Sequence, residues 1–563
     1  MFAHLLQYCK PSKKFLLGLT LSIFIISVLR YIELPGLYFD AVNPDYVAAK
    51  ILHPHLSQAW SLSSLIIAAF PPHPYHGLQH IYLGLPFYYV FGTSIVSLRL
   101  FQALFGLGIL YFGYRITQQL TQNHWFAFFA MLGLATEIAF IASFRTQFYI
   151  TMAGDFWLFA ALSLLTQPFE LNSLLVKRFL WVGIFIGLAI YSYFIFLFFL
   201  PALFLWVIKI SPKPNPLKAC IRWLAGIMIG LCPYLFNYLS IFLKLQIMVA
   251  AQHHAATIVS KSQNLTSSNK LQAISTQAVS SVNKLQAIPH HFSLMTNWKL
   301  GWQLILLALT NAGNELLIFA KQSILFLEDE KVFALLILLF LGLMAGLFIK
   351  KRTWQDKNCW FFISLPLSFF IFATLFGTRL WVHHYSILIP FFYIELAIAA
   401  FFIWRLATTT RLANLVNKVL IIVASLLILL NITQQQCFFN DLNATGGVKK
   451  YSNALNLMAE EAIGVKDKTF YLFPEWGFMA SFAFLTGNRV DYDVNTDQQA
   501  KNALMQGKEL RLCFWNIQDL TGYEKTLRGL GASYQQVVPY LQRDGNIAFY
   551  MIRASYSPIL DNR

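Results

Sequence analysis

Two carboxylates, Asp40 and Asp45, stand close together in the stretch Leu37-Tyr38-Phe39-Asp40-Ala41-Val42-Asn43-Pro44-Asp45. The stretch follows shortly after the first long apolar segment, so both acids fall where the chain emerges from it. A carboxylate in that position is able to take a proton from an attacking hydroxyl while a sugar leaves a phosphate, general-base chemistry at an oxocarbenium-like centre. The spacing fits a pair of solvated loop acids equally well. Further along, Arg379-Leu380-Trp381-Val382-His383-His384-Tyr385 sets two histidines side by side. Neighbours on a helix point about 100° apart and no third ligand stands nearby, so no metal site is expected. Glu137, Asp155 and Glu395 lie inside apolar segments, where a charge needs a reason.

The elements that must position these residues are set by composition. Of 563 residues, 57% are hydrophobic and 12% charged, which places the chain in a bilayer. The excess of 42 Lys+Arg over 25 Asp+Glu is absorbed by topology, without a nucleic-acid partner. Runs with little or no charge, each about long enough to cross the roughly 30 Å hydrocarbon core, fall near residues 15–29, 97–118, 125–144, 148–166, 179–208, 223–243, 332–349, 359–377, 385–404 and 419–433. The first run has no small-residue cleavage site at its end and reads as a permanent helix. The run 179–208 carries basic residues at both flanks, so the positive-inside rule predicts that it crosses twice. The expectation is an α-helical polytopic protein of about eleven spans, N-terminus inside and C-terminus outside. The apolar stretch 302–327 is read as an interfacial helix on the outer face.

Two outer loops are expected, 31–96 and 246–330. The second contains Asn269-Lys270-Leu271-Gln272-Ala273-Ile274 again as Asn283-Lys284-Leu285-Gln286-Ala287-Ile288, a local duplication in a tolerant loop. After residue 433 the apolar spans cease, giving a division into a membrane domain, 1–433, and a small extracytoplasmic α/β domain, 434–563. Within the latter the pattern predicts helices near 449–463 and 522–531 and strands at 469–473, 510–515, 534–541 and 546–553, the last two a hairpin through Arg543-Asp544-Gly545. Cys437 and Cys513 share this domain and would either pair in an oxidising compartment or stay as two thiols.

One ordered set of residues carries a resemblance. Pro74-Tyr75-His76-Gly77, Tyr82 and Pro86, Phe91-Gly92-Thr93-Ser94, Leu98-Arg99-Leu100 and Phe105-Gly106 resemble the corresponding run of the dolichyl-phosphate-mannose-protein mannosyltransferase-like superfamily, which includes the bacterial lipid A aminoarabinose transferases. The likeness extends in order of elements over about residues 14–430 and is tightest over 31–166. It implies the GT-C fold and an inverting glycosyltransferase working at the extracytoplasmic face, in a bacterial inner membrane. The implied donor is a polyprenyl-phosphate sugar, and the acceptor a glycolipid, polysaccharide or protein; no cofactor is implied. The absence of a Gly-rich strand-to-helix turn for a nucleotide agrees with that donor.

The resemblance also implies roles. Asp40 matches the family's catalytic base, although Ala41 replaces the second acid of the usual pair, leaving Asp45 as a helper. Arg145, with Thr151 and Asp155 beyond it, matches the family's Arg after the third span and would clamp the carrier phosphate. Arg379, His383, His384 and Tyr385 would complete phosphate binding, with Tyr75 and His76 also on the substrate side. Two other readings stay open: a transporter or flippase of lipid-linked sugars using the intramembrane acids, and a non-catalytic scaffold. Against transport, the spans show no internal repeat.

Overall fold

The computed structural model describes residues 12–53, 77, 79–146, 148, 150–168, 174–211, 216–262, 294–309, 327–349, 353–376, 380–408, 412–494 and 498–556. Tyr75, His76, Arg379 and both copies of the duplicated hexapeptide lie outside them.

The first helix, Lys13–Leu29, starts at Ser12, whose side chain accepts from the Phe15 amide at 3.2 Å. Ile95–Thr121 opens on a reciprocal capping box between Ser94 and Ser97. Asn123 caps His124–Thr136, accepting from the Trp125 amide at 2.8 Å. That helix bends by 52° at Glu137 and continues as Ile138–Thr146. Among the described residues six helices are long and apolar enough to cross a membrane, or seven if this bent pair is one span. Shorter apolar helices, among them Met152–Leu165 and Phe194–Ile210, and the 17-residue first helix make up most of the remaining expected set.

The 179–208 run breaks at Tyr193 into Leu174–Ser192 and a return through Phe194–Phe199 and Leu200–Ile210. The chain must return there because Leu174–Ser192 packs parallel to Pro216–Ser262: Gly183 faces Gly226 and Gly187 faces Gly230, the register rising on both helices together. A Cβ on Gly183 would meet the Trp223 carbonyl oxygen at 2.1 Å, and one on Gly226 the Leu180 oxygen at 2.2 Å. This close backbone approach is what small residues spaced by four permit in a membrane. Pro216–Ser262 carries on as helix to Ser262, into the outer segment expected from residue 246. Leu294–Leu309 lies against Trp354–Phe376, with Trp298 and Trp302 on Phe370.

The last long helix, Ala413–Thr445, passes the expected end at 433 and stops at Gly446, in the left-handed region at φ 70°. Thirty-three residues make about 50 Å, more than the hydrocarbon core needs. Its far end packs Phe438, Phe439 and Leu442 against Leu34, Tyr38 and Ile138. Beyond it, a mixed five-stranded sheet has the order β2-β1-β3-β5-β4, with β1 Thr469–Leu472, β2 Tyr492–Asp493, β3 Glu509–Phe514, β4 Ala532–Leu541 and β5 Ile547–Tyr556. β1 runs parallel to β2 and β3, and β5 antiparallel to β3 and β4. The helix Ala454–Gly464 and the β4–β5 hairpin lie where patterning predicted them. Cys513 is buried in the sheet's core and Cys437 sits on the long helix; both are free thiols.

Candidate active site

Asp40 is half-buried on a single helical turn, Phe39–Val42, and Asp45 precedes the helix Tyr46–Leu52. Two arginines hold the chain that leads into this turn. Arg145 is 2% exposed and donates to four carbonyls: Val28 at 2.9 Å and Arg30 at 2.5 Å through Nη2, Tyr31 at 3.1 Å and Leu34 at 2.6 Å through Nη1. Its guanidinium also lies 5.1 Å from the Phe439 ring centre. Arg99, equally buried, donates to the carbonyls of Ile32 at 2.5 Å and Pro35 at 2.6 Å. The first helix leaves its last carbonyls without intrahelical partners, and these planar, permanently charged groups satisfy them. Both terminal nitrogens of Arg145, the residue expected to clamp the carrier phosphate, are thus engaged by backbone carbonyls. Arg99 was visible in the sequence only as part of a motif; its signal was a charge within an apolar run.

The C-terminal unit covers the same loop. The Gly36 amide donates to the Tyr451 carbonyl at 2.8 Å, and the Leu37 amide to Asn456 at 3.3 Å. Trp476, 54% exposed, lies with its ring 4.8 Å from Phe39 and 5.1 Å from Tyr38. Helix Met479–Leu485 inserts Ala480 and Phe484 into the main membrane core beside Val47, Ala48 and Ala49. At the loop's far end Asn488 donates to the His53 carbonyl at 2.8 Å. The His53 imidazole sits 3.0 Å from Arg489, and partial burial together with that cation lowers its pKa. Asp45 is closed off from solvent and accepts from the Tyr88 hydroxyl at 2.8 Å.

His384 and Tyr385 are buried at the start of the helical stretch Val382–Ala407, and His383 is half-buried beside them. The Trp381 amide donates to His384 Nδ1 at 2.9 Å, so the ring proton sits on Nε2, which faces the Tyr193 hydroxyl at 3.1 Å. Gly77, next to His76, donates to the Ser192 carbonyl at 3.3 Å, which brings that end of the first loop to the Tyr193–His384 pair. Ile138–Thr146 packs against both the Asp40 turn and the turn Ser386–Leu388, standing between the two groups. Asp155 occupies the first turn of Met152–Leu165, fully buried, and neither carboxylate oxygen has a hydrogen-bond partner among the described residues. Its place in the first turn gives Asp155 the favourable field of the helix N-terminus. Among the described residues no group of three or more His, Cys, Asp or Glu is arranged to hold a metal.

Glu137 has a structural reason for its place in an apolar segment. Lys331 lies 3.4 Å from Glu137 and 2.9 Å from Glu328, Gln434 donates to Glu328 at 2.6 Å, and the Tyr393 hydroxyl donates to Glu137. Asn431 donates to the Tyr393 hydroxyl and to the Gly133 carbonyl, each at 3.0 Å. The network pins the 52° bend to three later helices, so Glu137 needs no transported ion to explain it. Lys331 and Gln434 gave no sequence signal, because Glu137 lies 194 residues from Lys331 and Glu328 lies 106 residues from Gln434.

Residues 76–237 match the family described as dolichyl-phosphate-mannose-protein mannosyltransferase. The matched segment carries Arg99, Arg145, Asp155 and Tyr193, whereas Asp40, Asp45 and the histidine pair lie outside it. Among solved structures, ArnT from Cupriavidus metallidurans bound to undecaprenyl phosphate superimposes with a TM-score of 0.51, covering 97% of this chain and 98% of that one at 10% identity. A sequence search of curated proteins finds no match. Arginine-clamped loop, half-buried acid, histidine pair and C-terminal sheet unit thus stand on a helical bundle whose fold is like that of ArnT, and residues 76–237 of that bundle are similar to the matched mannosyltransferase family.

Proposed function

We propose that the chain moves a sugar from a polyprenyl-phosphate-sugar donor to an acceptor hydroxyl, with inversion, at the membrane face that carries Asp40. The observation that carries the reading is the convergence on one turn: Arg145 and Arg99 fix its approach, Trp476 and Tyr451 cover it, and Asp40 stays half-buried within it. The matched family is named for dolichyl-phosphate-mannose, and the ArnT structure holds undecaprenyl phosphate; both are polyprenyl phosphates.

In this mechanism the acceptor oxygen attacks the anomeric carbon, the bond from that carbon to the phosphate oxygen breaks with its electron pair going to phosphate, and Asp40 takes the hydroxyl proton. A lipid phosphate is a competent leaving group, so no covalent sugar intermediate is needed. With Arg145 engaged by carbonyls, Arg379 becomes the cation assigned to the departing charge, and His383, His384 and Tyr385 with Tyr75, His76 and Asp155 form the donor side. Asp45 and Arg145 act as positioning residues. The C-terminal unit, placed outside with the site, shapes the acceptor entrance. In a bacterial cell this puts the reaction on the periplasmic side of the inner membrane.

Asp40→Asn should lower transfer by roughly 100-fold or more while donor binding to the purified protein stays near normal. Transfer should be seen with a polyprenyl-phosphate sugar, not with a nucleotide sugar alone, and to an impermeant acceptor in spheroplasts but not in inverted vesicles. Near-normal transfer by Asp40→Asn would remove the base assignment, and activity on a nucleotide sugar alone would refute the donor class.

A further inference from the structure

A groove of ≈ 690 Å³ opens between His124–Thr136, Glu328–Phe348, Ile389–Ala407 and the last long helix, Ala413–Thr445. It lies apart from the site above. The chain runs from Ser94, near Asp45 and Tyr88, along Ile95–Thr121 to Asn123, so Asn123 marks the opposite membrane face. The mouth of the groove is at that face, lined by Asn123, Asn414, Asn417 and Lys418, with Trp125 and Trp404 beside them. Tryptophans at this level mark a membrane interface. From the mouth inward the lining turns apolar, through Phe129 and Leu396, and reaches Leu427 and Tyr393.

The depth of the groove identifies its occupant. From Asn414 to Leu427 the helix rises about 20 Å and from Trp404 back to Tyr393 about 16 Å, close to one leaflet of a hydrocarbon core about 30 Å thick. A polyprenyl chain long enough to span the bilayer would overrun it. The helix forming the outer wall buries only 6% of its most apolar stretch, so the groove faces lipid along its length. At the mouth Arg405 is already paired with Asp356, whereas Lys418 is exposed and has no ion pair among the described residues. An unpaired ammonium flanked by three amides, above a leaflet-deep apolar cleft, is complementary to a phosphate carrying acyl chains.

We propose that this groove is a binding site for one anionic glycerophospholipid of the leaflet opposite Asp40, an acyl chain lying along Ala413–Thr445 and the phosphate on Lys418. The site stands independently of the transferase reading. The test is native mass spectrometry of the full-length protein in mild detergent, titrated with phosphatidylglycerol and phosphatidylcholine of identical chains. Wild type should retain phosphatidylglycerol about fivefold more tightly, the size of one basic residue at a headgroup, and Lys418→Glu should abolish the preference. Ala424→Trp, which fills the groove from the exposed helix, should reduce retention of phosphatidylglycerol with an unchanged melting temperature. Equal retention of the two lipids by wild type, or a preference that survives Lys418→Glu, overturns the proposal. So does displacement of the bound lipid by equimolar undecaprenyl phosphate with the same dependence on Lys418, since the groove would then be a carrier site.

Discussion

The Tyr88 hydroxyl donates to Asp45 Oδ1 at 2.8 Å, and each of the two side chains is only 1% exposed. Tyr88 also meets Phe101 and, edge-on at 5.4 Å, Phe484 of the C-terminal unit. One side chain thus ties the acidic loop to a membrane helix and to the domain above it. This burial closes Asp45 off from solvent, so in the proposed mechanism it acts through the loop.

Tyr88→Phe keeps the ring and removes one donor from a buried carboxylate. A hydrogen bond to a charged group is worth about 1.5–3 kcal/mol, so thermal unfolding in detergent should show a loss of that order. Turnover should fall less than in Asp40→Asn, because the proposed base is untouched. Unchanged stability would show that the hydroxyl does not hold Asp45.

Arg145→Lys tests the carbonyl clamp. An ammonium has three donors on a compact head and cannot reproduce a planar fork that serves four carbonyls. Each buried carbonyl left without a donor costs about 1–3 kcal/mol, so the variant should be markedly less stable and lose activity along with its folded loop. A phosphate-binding role would instead weaken donor binding at unchanged stability.

Gly226→Val should separate the parallel helix pair, since its Cβ would fall 2.2 Å from the Leu180 oxygen, a backbone atom that cannot yield. Overpacking costs about 1–3 kcal/mol or more. Gly522→Ala is the control: nothing lies within 4 Å of the added methyl on helix Leu520–Gly529, so it should be neutral or stabilise by up to about 1 kcal/mol. Comparing the two melting temperatures separates the packing effect from helix propensity.

Glu461 gives the C-terminal unit a pH dependence. Burial pushes its pKa up, but the Tyr540 hydroxyl at 2.8 Å, Arg511 at 2.9 Å and Arg553 at 3.3 Å outweigh burial and hold it below the ordinary carboxylate value. A lowered folded-state pKa contributes stability above the unfolded-state value, and that stability is lost as pH falls through the folded one. The melting temperature of the full chain should therefore drop less steeply for Glu461→Gln than for wild type as pH is lowered below about 5. The group is partly exposed, so the difference should be modest and should shrink with salt.

Local chemistry determined a large part of this protein. Apolar runs of membrane length placed most of the helices, because helices satisfy every backbone group within one segment. Alternation and a turn triplet placed the β4–β5 hairpin, and basic flanks predicted a reversal within 179–208, where the helix breaks at Tyr193. The position of Asp40 just after the first helix was legible for the same reason. Other features depended on partners distant in the chain, and only the tertiary structure decided them. The carbonyls that engage Arg145 could not be read from the sequence because they belong to residues 28–34, more than a hundred positions earlier. Glu137 looked like a transport acid because Lys331 is 194 residues away. The last helix ran past residue 433 because Phe438, Phe439 and Leu442 find Leu34 and Tyr38 across the fold. A sequence shows which groups are costly to bury, and the fold decides which partners offset that cost.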